Sequence, residues 1–96
     1  MRLSNFEIET IKNTILDYIQ DAKVFLFGSR VYDNKKGGDI DILVQTSLKV
    51  TLENKIDILT QLEILGIGRK VDLIFKTPYT KEQNIIKTAL KEGVLL

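Results

Sequence analysis

Three aspartates stand inside otherwise apolar segments of the sequence, where charged side chains are unusual. Asp39 and Asp41 belong to the segment Asp-Ile-Asp-Ile-Leu-Val-Gln, and Asp72 belongs to Lys-Val-Asp-Leu-Ile-Phe-Lys. Strand side chains alternate between two faces, so Asp39 and Asp41 are expected on one face, about 7 Å apart at their Cα atoms. Two like charges this close repel, and a bound divalent cation removes the penalty. If the two segments are neighbouring strands, the three carboxylates can hold one or two Mg²⁺ ions, an arrangement used for phosphoryl displacement.

A glycine and a serine follow a third apolar segment, Lys-Val-Phe-Leu-Phe, which ends at Phe27. Gly28 and Ser29 directly after a buried strand indicate a tight turn with exposed N–H groups, which is typical of phosphate binding. Arg30 can contact a phosphate with two parallel hydrogen bonds. No Gly-Lys-Ser/Thr follows at the spacing of a Walker P-loop, so that class of site is excluded.

Each of these motifs also has an ordinary structural explanation. An Asp-x-Asp that starts a strand after Gly37-Gly38 is often simply solvated. Asp72, directly after Arg69-Lys70, is in a position to form an ion pair with a neighbouring cation. Gly28-Ser29-Arg30 taken alone is more often a plain strand-ending turn with a surface arginine. The motifs therefore carry weight only in combination.

The composition narrows the chemistry further. The chain has 96 residues, without a cysteine or a histidine, which excludes disulfide scaffolds, Cys/His zinc sites and imidazole bases. Its formal net charge of +1 is not the basic footprint of a nucleic-acid-binding protein. No apolar run reaches the roughly 18 residues of a membrane span, and no apolar signal segment is recognised at the N-terminus. We expect a cytoplasmic protein with no membrane partner and no direct nucleic-acid binding.

The elements that must position these residues follow from periodicity and from the helix and turn signals. We predict a single α/β domain over residues 1–96, with a mixed sheet of three to four strands flanked by helices. The short connection between the first two strands favours antiparallel pairing, which makes the sheet mixed. The predicted helices are Ser4–Ile19, Thr51–Leu65 and Thr80–Lys91; the predicted strands are Lys23–Phe27, Asp39–Gln45 and Lys70–Lys76, with Val94–Leu96 as a short edge strand and Val31–Gly38 as a loop.

Two of the predicted helices carry one apolar stripe each. The first helix has Ser4 and Glu7 at the spacing of a capping box, followed by an apolar stripe of Ile8, Ile11, Ile15, Leu16 and Ile19. The stripe predicted for the second helix is Leu52, Ile56, Leu59, Leu62 and Leu65, with Gly66 as the C-terminal cap. Ile58 and Ile64 fall off this stripe. They either complete the face that covers the sheet or belong to an interface with a second copy or a partner.

Taken together, the motifs resemble those of the DNA polymerase β-like nucleotidyltransferase superfamily, most closely its minimal nucleotidyltransferases. The resemblance rests on Phe27-Gly28-Ser29-Arg30, then on Asp39-Ile40-Asp41-Ile42-Leu43-Val44, then on Val71-Asp72-Leu73-Ile74, and it extends over nearly the whole chain. It implies the polymerase β-like nucleotidyltransferase fold. Nine residues separate Ser29 from Asp39, one fewer than the family spacing, and the missing residue falls in a polar loop.

The resemblance implies a role for each matching residue. Asp39 and Asp41 correspond to the carboxylates that bind both metal ions, and Asp72 to the third carboxylate, a ligand of the catalytic metal and a candidate base. Gly28 and Ser29 correspond to the residues that hold the nucleotide's β- and γ-phosphates, and Arg30 to a phosphate or partner contact. The implied cofactor is Mg²⁺, as one or two ions, and the implied nucleotide substrate is ATP.

For single-domain members, the resemblance implies Mg²⁺-dependent transfer of AMP from ATP to a tyrosine of a HEPN-domain toxin, with the enzyme acting as an antitoxin. The chain has no recognisable acceptor domain, so a partner is expected to supply the acceptor. One alternative is a non-catalytic antitoxin or scaffold that binds its partner through its surface. Another is nucleotidyl transfer to a different protein or to a small molecule. A homo-oligomer and a hetero-oligomer both remain compatible with the sequence.

Overall fold

The computed structural model describes residues 3–27, 39–80 and 84–96, which form three helices and four strands. Chain order alternates helices and strands as the sequence predicts, with most boundaries within one residue of expectation. The elements are α1 (Asn5–Tyr18), β1 (Lys23–Phe27), β2 (Ile40–Gln45), α2 (Leu52–Ile64), β3 (Val71–Lys76), α3 (Asn84–Glu92) and β4 (Val94–Leu95). The predicted loop Val31–Gly38 lies outside the described residues.

The four strands form one mixed sheet in the order β3-β2-β1-β4. β1 pairs antiparallel with β2 and with β4, while β2 and β3 are parallel. This confirms the predicted α/β class and the mixed sheet. Because β2 and β3 are parallel and β1 runs against them, β1 ends where β2 and β3 begin. We call this the carboxylate end of the sheet, since Asp41 and Asp72 lie there.

Helices cover both faces of the sheet, and alternation along the strands gives each face its own core. α1 and α2 pack on one face through Ile11, Ile15, Ile58 and Leu62 against every second strand residue, such as Ile42. On the other face, α3 contributes Ile86 and Ala89, which pack with Phe27 and Leu43. Asp41 and Asp72 have the sequence parity of Leu43 and Ile74, and therefore project from the α3 face.

Local capping explains where α1 begins and where α2 ends. Ser4 and Glu7 form the predicted capping box, with reciprocal hydrogen bonds of 3.1 and 3.0 Å. α2 ends in a Schellman motif, in which Gly66 N–H donates to the carbonyl of Glu63 and Ile67 N–H donates to that of Leu62. Gly66 has a φ of +100°, a region that favours glycine. The predicted C-terminal cap is therefore confirmed.

The prediction for the apolar face of α2 was wrong. Leu52, Ile56 and Leu65 are exposed, and of the predicted stripe only Leu62 is fully buried. Ile58, expected off the stripe, is buried in the core, whereas Ile64 is 71% exposed. Apolar residues surround this helix almost completely, so periodicity alone does not select the face that meets the sheet.

The start predicted for the last helix, Thr80, lies in a turn directly before residues outside the described ranges. Its N–H donates to the Thr77 carbonyl, and its hydroxyl accepts from the Thr77 N–H. The described helix begins at Asn84. Within the residues that the structure describes, none of the helices has the length and apolar character required to cross a membrane.

Candidate active site

Asp41 and Asp72 occupy directly paired positions of the β2–β3 ladder. Neighbouring strands lie about 4.8 Å apart, so the two aspartate side chains project side by side from the same face of the sheet. Leu43 and Ile74, the next pair on that face, are apolar and pack beneath α3. The aspartates are thus the point at which the covered face of the sheet becomes polar.

The start of β2 is tied to the residue before β3 by a backbone hydrogen bond. The N–H of Ile40 donates to the carbonyl of Lys70 at 2.9 Å. Ile40 lies between Asp39 and Asp41, so this bond fixes the position of both aspartates along the strand relative to Asp72. Asp39 itself immediately precedes β2 and is exposed, whereas Asp41 is half-buried. The structure therefore places all three predicted carboxylates at the carboxylate end, with Asp41 and Asp72 in direct register.

A lysine accompanies Asp72. The Lys70 Nζ lies 3.7 Å from Asp72 Oδ1, and the side chains are 72% and 41% exposed. Lys70 and Asp72 are two positions apart, so both point to the α3 face. The alternative interpretation of Asp72 as a member of an ion pair is therefore confirmed. An exposed pair of this kind contributes little stability, about 0–1 kcal/mol, and does not prevent Asp72 from binding another cation.

The predicted phosphate-binding residues Gly28, Ser29 and Arg30 lie outside the described residues. The residue that precedes them does not, and its position is informative. Phe27, the last residue of β1, is the ladder partner of Asp41. The chain therefore leaves β1 at the carboxylate end.

The donor chemistry at the carboxylate end fits a hard divalent cation. Like charges at directly paired strand positions are destabilising, and the Lys70 ammonium lies beside one of them. Carboxylate oxygens are the ligands that Mg²⁺ takes from proteins. Among the described residues, however, no group of three or more acidic, histidine or cysteine side chains is already gathered closely enough to hold a metal ion. The fit therefore rests on the type and register of the donors rather than on a preformed cage.

A second polar cluster, at the opposite end of the sheet, was not expected from the sequence. The carboxylate of Asp21 accepts hydrogen bonds from the hydroxyls of Thr46 and Ser47 and from the Ser47 N–H, the last at 3.0 Å. The Ser47 and Thr46 hydroxyls, followed by the Ser47 N–H, lower the pKa of Asp21 to about 2. The cluster joins the residues before β1 to those after β2. The predicted antiparallel pairing already brought an acid and two hydroxyls together there, which was the signal available in the sequence.

Open clefts flank the sheet, and one of them lies away from the paired carboxylates. It has a volume of about 420 Å³ and lies between α2 and the start of β3, on the face opposite to Asp41 and Asp72. Its lining residues are Leu59, Leu62, Glu63, Ile67, Gly68, Arg69, Lys70 and Val71. We give more weight to the paired carboxylates than to cleft volume, because the chemistry requires charged ligands at one point.

The fold, the paired aspartates and the exit of β1 beside them define a nucleotidyltransferase domain. The family model for polymerase β nucleotidyltransferases matches residues 9–96. The chain belongs to this family, as the motifs predicted.

Two solved structures have a similar fold. One is a chain of the complex described as tri-AMPylated Shewanella oneidensis HEPN toxin with MNT antitoxin, at a TM-score of 0.67 and 22% identity, covering 94% of this chain and 67% of that one. Another structure from Shewanella oneidensis has a TM-score of 0.67 and 16% identity, covering 97% of this chain and 71% of that one. At these identities the similarity shows the fold alone. Among curated proteins, no sequence is similar enough to count as a match.

Proposed function

We propose that this protein is a Mg²⁺-dependent nucleotidyltransferase that transfers AMP from ATP to a tyrosine hydroxyl of a HEPN-domain toxin, and so acts as its antitoxin. The observation that carries the proposal is the direct pairing of Asp41 with Asp72 beside the end of β1, in a chain of the nucleotidyltransferase family. The complex of an AMPylated HEPN toxin with an MNT antitoxin, which has this fold, supports the choice of partner and of transferred group.

In the proposed reaction, the tyrosine oxygen attacks the α-phosphorus of ATP, the bond to the bridging oxygen breaks, and pyrophosphate leaves. Asp39, Asp41 and Asp72 would hold Mg²⁺, which supplies stabilisation of the charge that develops on the phosphate oxygens. The carboxylate of Asp72 accepts the proton of the attacking hydroxyl. Gly28 and Ser29 bind the β- and γ-phosphates through N–H and hydroxyl donors, with Arg30 as a further phosphate contact.

The direct test is transfer of label to the partner. The wild-type protein, Mg²⁺ and a purified HEPN-domain protein from the same genome are incubated with ATP labelled either at the α- or at the γ-phosphate. We expect label on the partner from α-labelled ATP only, because the γ-phosphate leaves with pyrophosphate. Asp41→Asn and Asp72→Asn should each lower the transfer rate by about 100-fold or more. Asp17→Asn, on the exposed surface of α1, is the matched control and should transfer normally.

One observation favours the non-catalytic alternative. The Lys70–Asp72 ion pair gives Asp72 a structural partner without any metal. If this alternative is correct, the protein neutralises its partner while no label is transferred, and Asp41→Asn and Asp72→Asn neutralise it equally well. That outcome would refute the catalytic proposal.

A further inference from the structure

The outward face of α2 has an unusual composition for a solvent-exposed surface. Seven residues of this helix are exposed, and three of them are large and apolar: Leu52 at 72%, Ile56 at 52% and Ile64 at 71%. The other four are Glu53, Asp57, Thr60 and Glu63. None of the seven is basic. We call these seven residues the α2 outer face.

The apolar residues of the α2 outer face form a line along the helix. Leu52, Ile56, Thr60 and Ile64 follow one another at intervals of four, and rows of this spacing form the ridges by which helices pack together. Thirteen residues make α2 about 20 Å long. The row runs over nearly this whole length, with the polar Thr60 between Ile56 and Ile64, so it offers an extended contact surface along the helix.

The fold does not use this row. The core contacts of α2 are made by Ile58 and Leu62, which are buried on the other side of the helix. These three large apolar side chains keep half or more of their surface in contact with water, so each contributes less to the stability of the fold than a core residue does. Large exposed apolar side chains that line up on one helix face with polar flanks are typical of a protein interaction site.

The charge of the surface decides between a second copy and a different partner. Pairing two copies of α2 would bring three acidic residues of one chain against three of the other, with no exposed basic residue to balance them. The neighbouring helix does not supply the balance. α1 and α2 together contain six acidic residues and two lysines, a net charge of −4, in a chain whose formal net charge is +1. A partner of positive charge is therefore favoured.

We propose that the α2 outer face is the docking surface for a helix of another protein, one that carries apolar side chains at intervals of three and four flanked by lysine or arginine. This surface lies on the α1–α2 side of the sheet, whereas Asp41 and Asp72 project from the α3 side. A partner helix bound there leaves the carboxylates open. The proposal concerns binding alone and stands whether or not the protein transfers nucleotides.

The test uses two synthetic helical peptides of about 18 residues, long enough for stable helix formation. They have identical leucines at intervals of three and four, and differ only in flanking residues: lysine and arginine in one, glutamate in the other. Each is titrated into the full-length, isotope-labelled protein while backbone amide resonances are followed. We expect the basic peptide to shift the amide resonances of α2 and to bind about tenfold or more tightly than the acidic peptide. Its affinity should fall as the salt concentration rises.

Variants of the α2 outer face make the test specific. Leu52→Ser/Ile56→Ser/Ile64→Ser should lose about tenfold or more in affinity without unfolding, since all three side chains are exposed. Glu53→Lys/Asp57→Lys/Glu63→Lys should bind the acidic peptide in preference. Leu95→Ser, which removes a 59% exposed leucine on β4, is the control and should bind like the wild type.

Several results would overturn the proposal. Equal binding of both peptides would show that charge does not select the partner, and shifts confined to another surface would move the site elsewhere. Absence of binding at about 1 mM peptide would show that the α2 outer face is not a docking site for such a helix. Self-association of the wild type in sedimentation equilibrium, lost in the triple serine variant, would assign the surface to a second copy.

Discussion

At the scale of single residues, Lys70 adds a positive charge to the carboxylate end. Its ammonium lies 3.7 Å from Asp72, one of two carboxylates that are paired directly across the strands. Lys70→Ala removes a cation that competes with any divalent ion bound there. Because Lys70 is 72% exposed and largely solvated, we expect only about a threefold gain in Mn²⁺ affinity.

The affinity for Mn²⁺ is measured directly by electron paramagnetic resonance of the free ion, without nucleotide and without turnover. Lys76→Ala is the matched control. Lys76 lies at the far end of β3, on the same face as Lys70 and about 20 Å from it along the chain. Equal Mn²⁺ affinities of the two variants would show that Lys70 does not act on the carboxylates. A loss of affinity in Lys70→Ala alone would mean that it positions Asp72 for the metal instead.

The lowered pKa of Asp21 predicts that the stability of the fold depends on pH. Its hydroxyl and N–H donors lower the pKa of the folded-state carboxyl to about 2, below its ordinary value. A depressed pKa means that the ionised form stabilises the fold, so this stability is present above about pH 4 and is lost as pH falls towards 2. Asp21→Asn should therefore be less stable than the wild type at pH 6. The difference should shrink as pH falls through this window.

Urea unfolding midpoints at a series of pH values test this dependence. Asp17→Asn provides the comparison, because its carboxylate lies on the exposed surface of α1 outside the cluster. If the midpoints of Asp21→Asn and the wild type stay equally far apart from pH 6 to pH 2, the carboxylate charge is not what the hydroxyls of Thr46 and Ser47 stabilise.

At the scale of elements, two glycines are required for different reasons. A Cβ at Gly93, between α3 and β4, would lie 2.3 Å from the carbonyl oxygen of Ala89, so the backbone itself must move. Gly93→Ala should cost about 2 kcal/mol or more of unfolding free energy. A Cβ at Gly66 would meet only an ordinary van der Waals contact, but the φ of this residue is +100°, so Gly66→Ala should cost about 1 kcal/mol of unfolding free energy.

Gly68→Ala is the built-in control, because a Cβ there has nothing within 4 Å and no unusual φ is involved. The three variants are compared by their free energies of unfolding in urea. We expect the order of destabilisation to be Gly93, then Gly66, then Gly68. A Gly93→Ala protein as stable as Gly68→Ala would contradict the close approach of Gly93 to the Ala89 carbonyl.

The elements also show how far sequence reasoning reaches. Capping at Ser4 and Gly66, and the strand Lys23–Phe27, follow from local chemistry and were predicted correctly. The face that α2 turns to the sheet was not, because six apolar residues around one helix leave the choice to long-range packing. The site divides in the same way. Local pattern places Asp39 and Asp41 at the start of a strand, but only the pairing of β2 with β3 brings Asp72 beside them.

At the scale of the whole molecule, the sheet separates two surfaces. The carboxylates project from the α3 face, and the α2 outer face lies on the other side. If both proposals hold and the docked helix belongs to the acceptor protein, partner binding and chemistry are separable. Leu52→Ser/Ile56→Ser/Ile64→Ser should raise the KM for the protein acceptor by about tenfold or more and leave kcat nearly unchanged, because it removes binding that is equal in the ground and transition states.

Asp72→Asn should show the reverse pattern. It removes the proton acceptor proposed for the attacking hydroxyl, so kcat should fall while the Kd for the acceptor, measured by calorimetry without ATP, stays within about twofold of the wild type. Steady-state transfer of α-labelled phosphate at varied acceptor concentration measures both parameters. If the triple serine variant lowers kcat even at saturating acceptor, docking also orients the tyrosine, and the two faces of the sheet are coupled rather than independent.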